Sequence, residues 1–71
     1  MAWKSEYVNF GVLKVDGAHR VRVYHNRDNY ATINTGLDTV TDARWGGDSV
    51  LVYLSNGKVR RYKDPDNYSI I

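Results

Sequence analysis

A chain of 71 residues with a formal net charge of +2 and no cysteine is one domain near the lower size limit for a single core, with neither a disulfide framework nor a thiolate zinc site to support it. No apolar run reaches the roughly 20 residues that span a bilayer, and Met1-Ala2-Trp3-Lys4 lacks the apolar stretch of a signal peptide, so the sequence predicts a cytoplasmic protein without a membrane segment. The core must come from Val, Leu, Ile and an aromatic set dominated by six tyrosines; so small a core, with strand edges left over, predicts a homo-oligomer.

No stretch keeps a 3.6-residue apolar period. β-Branched and aromatic residues separated by Gly, Asn and Asp recur instead at the spacing of a small β-sandwich or barrel. Strands are predicted over 7–15, 19–25, 30–35, 39–45, 49–55, 58–63 and 68–71. In the first hairpin Asp16-Gly17 reads as a two-residue turn, which sets Val12 opposite Val21 and Phe10 opposite Val23 and gathers Val8, Phe10, Val12, Val21 and Val23 on one apolar face. Gly46-Gly47-Asp48 turns the strand ending in Trp45 into Ser49. Asn56-Gly57 reads as a type I′ turn that sets Leu54 opposite Val59 and Tyr53 opposite Arg60. Val50, Val52, Leu54 and Val59 are then the inward side of the second hairpin.

A shift of 38 positions lays the chain on itself. His19-Arg20-Val21-Arg22-Val23-Tyr24-His25-Asn26-Arg27-Asp28-Asn29-Tyr30-Ala31-Thr32-Ile33 falls on Gly57-Lys58-Val59-Arg60-Arg61-Tyr62-Lys63-Asp64-Pro65-Asp66-Asn67-Tyr68-Ser69-Ile70-Ile71, and Val12-Leu13 falls on Val50-Leu51. Val, Arg, Tyr, Asp, Asn, Tyr and Ile recur in register. A period of this length marks a supersecondary unit that buries its apolar face only against another copy. The predicted fold is therefore all-β: one domain holding a small antiparallel meander of about seven short strands with an internal two-fold repeat, units 1–38 and 39–71, built as a sandwich, a partly open barrel or two propeller-like blades. The repeat places the counterpart of Asn56-Gly57 at Ala18-His19, in conflict with a turn at Asp16-Gly17. The facing apolar residues favour the turn chemistry, so the two hairpins are expected to have diverged.

The segment Asp42-Ala43-Arg44-Trp45-Gly46-Gly47-Asp48-Ser49-Val50-Leu51-Val52-Tyr53-Leu54-Ser55-Asn56-Gly57-Lys58-Val59-Arg60-Arg61-Tyr62 resembles a β-propeller blade of the WD40-like kind: strand, glycine turn, apolar strand, Asn-Gly turn, strand. The Trp-Asp dipeptide and Gly-His pair of that family are absent from it. The resemblance implies blades stacked round an axis, and two blades are too few to close a ring. Such chains would assemble, as two-blade lectins do.

Catalysis finds little support. His19 and His25 fall on one predicted strand about 20 Å apart at roughly 3.3 Å per residue, too far to share a reacting atom, and no nucleophile motif accompanies them. Asp64-Pro65-Asp66-Asn67 lacks the Gly and terminal Glu of a calcium loop and reads as a turn closed by its own side chains, as does Asn26-Arg27-Asp28-Asn29. No metal or cofactor is expected. Seven of the ten basic residues, Arg20, Arg22, Arg27, Lys58, Arg60, Arg61 and Lys63, lie in the matched segments, while the acids sit in turns. Arg20, Arg22 and Tyr24 alternate along one strand, as do Lys58, Arg60 and Tyr62 in its copy, with Arg61 beside them. Arg and Tyr are the side chains enriched among interface hot spots, and cations between aromatics also suit single-stranded nucleic acid. The sequence thus predicts a non-enzymatic binding module, a small regulator docking on a protein partner through these seven residues. A nucleic-acid-binding β-domain is the first alternative, and an oligomeric two-repeat lectin stacking sugars on Trp3 and Trp45 is the second.

Overall fold

A computed structural model describes residues 3–71; Met1 and Ala2 lie outside the described residues. The order of elements is α1 (Ser5–Phe10), β1 (Val12–Asp16), β2 (Arg20–Tyr24), β3 (Tyr30–Asn34), β4 (Val40–Gly46), β5 (Ser49–Leu54), β6 (Val59–Tyr62) and β7 (Tyr68–Ile70). All pairing is antiparallel, in a three-stranded sheet β1-β2-β3 and a four-stranded sheet β4-β5-β6-β7. Neither sheet closes on itself, and residues of both enclose one core of Trp3, Val21, Val23, Ile33, Val40, Val50, Val52, Leu54 and Tyr62. The all-β meander of seven short strands is thus the fold, as two sheets around a shared interior. Among the described residues no helix is long and apolar enough to cross a membrane.

The first element departs from expectation. Residues 5–10 form a helical turn and a half that takes in the start of the strand predicted over 7–15, and Gly11, at φ 68°, ends it with its N–H bonded to the Tyr7 carbonyl at 2.9 Å. A left-handed residue at that point is the common way to stop a helix, and glycine takes it without strain. Tyr and Val prefer strands, but tertiary contact overrides so weak a preference. The Trp3 indole N–H reaches across the molecule to the Tyr62 carbonyl at 3.0 Å. Tyr7 then packs its ring on Trp3 and on His25, with centroids 5.4 and 4.9 Å apart. Phe10 consequently lies outside the core at 40 % exposure, and Val12 at 44 %, so neither is the interior residue that the sequence suggested.

Both hairpin registers also differ from prediction, each for the same reason. Val12 pairs with Tyr24 and Val15 with Val21, leaving residues 17–19 as a three-residue loop. Tyr53 pairs with Val59 and Val52 with Arg60 around Ser55-Asn56-Gly57, closed by the Leu54 N–H on the Lys58 carbonyl at 3.0 Å. A type I′ turn needs positive φ at both central residues, and Asn56 does not supply it: among the described residues every positive φ belongs to glycine. Gly57, at φ 86°, instead ends a three-residue loop of the kind that pairs a tight turn with a bulge. Shifting Val12↔Tyr24 by 38 gives Val50↔Tyr62, and shifting Arg22↔Thr32 gives Arg60↔Ile70; both are observed pairs. The hairpins have not diverged. The repeat carried the register, and the turn dipeptides misdirected it.

A one-residue slip sends every side chain of a strand to the opposite face. In β6 the observed register turns Arg60 and Tyr62 inward and leaves Val59 only half-buried. β4 keeps its apolar residues inward through a bulge at Thr41, after which Ala43 and Trp45 join Val40 on the face of Val52 and Val50. Matched residues in the two units therefore have opposite fates. Val21, Val23 and Ile33 are fully buried, whereas their counterparts Val59, Arg61 and Ile71 are half-buried or exposed; Arg60, Tyr62 and Val50 are buried, whereas Arg22, Tyr24 and Val12 are not. The first unit packs its back on the front of the second.

These positions set unequal costs for truncation. Ile33→Ala should lose about 2 to 5 kcal/mol, as for a buried isoleucine, while Phe10→Ala should lose no more than about 1 kcal/mol, as for a surface residue. Urea denaturation of both variants checks the pair.

Candidate binding surface

Each unit builds the same local device. After β2 the Asn26 side-chain oxygen accepts from the N–H groups of Asp28 and Asn29 and from the Asn29 amide, and after β6 the Asp64 Oδ1 accepts from Asp66, Asn67 and the Asn67 amide in the same pattern. These side-chain-closed turns reverse the chain as predicted. They bring Tyr30 beside Tyr24 and Tyr68 beside Tyr62, with ring centroids 5.1 and 5.0 Å apart. An arginine from the preceding strand lies over the second ring each time: Arg22 is 4.6 Å from the Tyr30 centroid and Arg60 4.4 Å from that of Tyr68. Tyr30 and Tyr68 were not among the predicted site residues, although both recur at the 38-residue offset.

The two copies differ in their surroundings. Arg60 is only 9 % exposed and Tyr62 2 %. The Arg60 guanidinium bonds the Tyr62 hydroxyl at 3.0 Å and the Thr35 carbonyl at 3.4 Å, and pairs closely with the Asp38 carboxylate. Burial alone would lower its pKa, but the hydroxyls of Tyr62 and Tyr68 and the Asp38 charge outweigh burial and raise it. Arg60 is thus a permanent buried cation tying β6 to the segment between the two sheets. Thr35 holds that segment from the other side, its hydroxyl lying 3.0 and 2.7 Å from the His19 and Asp38 carbonyls and sharing its one hydrogen between them. Arg60 and Tyr62 therefore leave the predicted surface: the register turns them into the core.

Arg22 keeps its face to solvent. Its pKa is raised, first by the hydrogen bond to Tyr24 and then by the Asp16 charge, 3.2 Å away. Arg20 extends the same row and approaches Asp16 at 3.9 Å with its side chain largely exposed. Pairing places Val12 beside Tyr24, Lys14 beside Arg22 and Thr32 on the far side. Among the seven predicted residues the structure brings together Arg20, Arg22 and Tyr24. Lys58 lies exposed before β6, and Arg61 points from the opposite face of that strand.

The aromatic residues suggested for sugar stacking are occupied elsewhere. Trp3 is buried, Trp45 is half-buried, and the two meet edge to face at 6.1 Å. A groove of about 520 Å³ opens beside Trp3, Lys4 and Tyr7 and is walled by Asp64, Pro65, Asp66 and Asn67.

Charge reversal separates the two arginines. Arg60→Glu should destabilise by about 3 to 5 kcal/mol, because it puts a carboxylate in a buried site beside Asp38, whereas Arg22→Glu should leave the melting temperature within a few degrees of wild type; thermal melts of both decide. The Asp64 carboxyl is lowered from 3.8 to about 2, first by the Asn67 amide and then by the Asp66 N–H. A depressed carboxylate stabilises the fold above its unfolded value and loses that contribution as pH falls through the folded one. The Asn67 backbone amide signal should therefore titrate with a midpoint near pH 2. The matching signal of Asn29, held by the Asn26 amide oxygen, should show no transition at that pH.

No protein family, curated protein or solved structure matches this chain.

Proposed function

We propose that the protein is a non-enzymatic binding module that docks on a protein partner through the outer face of β1-β2-β3, with Val12, Lys14, Arg20, Arg22, Tyr24 and Tyr30 as the contact set. The observation that carries this reading is the inequality of the two Arg–Tyr devices. In the second unit Val50, Arg60 and Tyr62 are covered and form part of the core; in the first, their counterparts Val12, Arg22 and Tyr24 in the same register are not, with Val12 at 44 % exposure, while the outer rings Tyr30 and Tyr68 are open in both. Arg22 is pre-set by Asp16, Tyr24 and Tyr30, so little side-chain freedom is lost on docking. Half-buried tyrosines around a fixed arginine match the composition of hot spots at protein interfaces.

A nucleic-acid partner is less well served. The guanidinium already covers the Tyr30 ring, which a base would need for stacking, and Asp16 already neutralises part of the row.

The test is capture of a partner by the wild type, with Arg22→Glu/Tyr30→Ala and Leu37→Ala as paired variants. The first variant should lose binding at least tenfold and the second, in the exposed segment between the two sheets, should retain it. Binding that survives nuclease and changes little between 50 and 300 mM salt supports a protein partner, whereas a fall of about two orders of magnitude or more over that range would point to phosphates instead.

A further inference from the structure

We infer that the partner of this face is a second copy of the chain, which lays on it the outer face of its four-stranded sheet, formed by Leu51, Tyr53, Val59 and Ile71, so that copies join head to tail. The inference rests on the docking reading above and names the occupant. Within one chain the back of the first unit, with Val21, Val23 and Ile33, is buried with the front of the second, with Val50, Val52 and Tyr62. The 38-residue repeat then supplies each half of that contact a second time. The front of the first unit offers Val12 for Val50, Arg22 for Arg60 and Tyr24 for Tyr62. The back of the second offers Leu51 for Leu13, Val59 for Val21 and Ile71 for Ile33.

Both spare halves are open to solvent. Val12, Tyr30 and Ile71 are exposed, and Leu51, Tyr53 and Val59 are half-buried. The two halves lie on different sheets, so the contact joins unlike surfaces of two chains. Such a heterologous contact closes into a ring or continues as a filament, according to the rotation it imposes.

The second contact is weaker than its template. Lys14 stands where the internal contact has Val52, Tyr53 where it has Val15, and Arg61 where it has Val23. Both spare faces carry an excess of cations, Lys14, Arg20 and Arg22 against Asp16 on one, Arg44 and Arg61 against Asp42 on the other. Screening should therefore favour association. Self-assembly that holds or tightens as salt rises is the signature of this contact and opposes that of a phosphate ligand.

Two variants test it. Val12→Glu/Tyr30→Glu spoils the front, and Tyr53→Glu/Ile71→Glu spoils the back. The wild type should sediment as an oligomer or a concentration-dependent mixture, each variant alone as a monomer, and an equimolar mixture of the two as a dimer, since one intact front meets one intact back. Amide spectra of the wild type on dilution provide a measurement that needs no variant: shifts should concentrate in the Val12–Tyr30 row and in the Leu51–Ile71 row together. A wild type that stays monomeric to millimolar concentration overturns the inference. So does an oligomer that both variants still form, which would place the contact elsewhere, for example at the open edge of β7. Capture of another protein through Arg22 and Tyr30 by a monomeric chain would sink the self-pairing and leave the docking reading standing.

Discussion

The pairing of β5 with β6 across three residues rather than two is the constraint from which the rest of the structure follows. Side chains alternate along a strand, so the length of one loop decides whether Arg60 and Tyr62 face water or the core. With Val52 beside Arg60 and Val50 beside Tyr62, the basic strand must lodge a guanidinium in the interior. That charge is tolerable there only with several partners. They come from Tyr62 on its own strand, Tyr68 on the next, and Thr35 and Asp38 on the segment that leaves the first sheet.

This arrangement joins the two sheets by a polar contact placed beside an apolar one. Val21, Val23 and Ile33 give the three-stranded sheet its buried side, and burial of apolar surface supplies most of the stabilisation, at about 25 cal/mol for each Å² removed from water. Arg60 adds direction. Its bonds to Thr35 and Asp38 fix where the chain leaves β3, and the Val40 N–H on the Ala18 carbonyl at 2.7 Å fixes where it enters β4. The Trp45 indole nitrogen and Arg60 Nε remain without a protein partner inside, each at a cost of about 1 to 3 kcal/mol.

One sequence device thus takes two forms. Arg, Tyr and the side-chain-closed turn recur in both units with the same pairing and nearly the same ring distances, yet Arg60 and Tyr62 are a buried staple while Arg22 and Tyr24 belong to a solvent-facing row. A surface that a chain already knows how to cover is a natural binding face. The docking role and the head-to-tail pairing proposed for it both draw on that likeness.

The amino-acid order by itself determined the all-β class, the positions of most strands and the two turns closed by Asn26 and Asp64, because alternation and short-range side-chain bonding are local properties. It also contained the register, since the 38-residue repeat relates Val12↔Tyr24 to Val50↔Tyr62. That information was overridden by Asp16-Gly17 and Asn56-Gly57, whose turn preferences are real but are satisfied equally by a three-residue loop. Only the tertiary structure decided that residues 5–10 coil into a helix, because the contacts that hold them, Trp3 on Tyr62 and Tyr7 on His25, join positions far apart in the chain. Only the tertiary structure, too, decided that Arg60 is inside and Arg22 outside. Their local sequences are nearly the same, and burial depends on which neighbouring sheet covers each face, a fact that no short stretch of either unit contains.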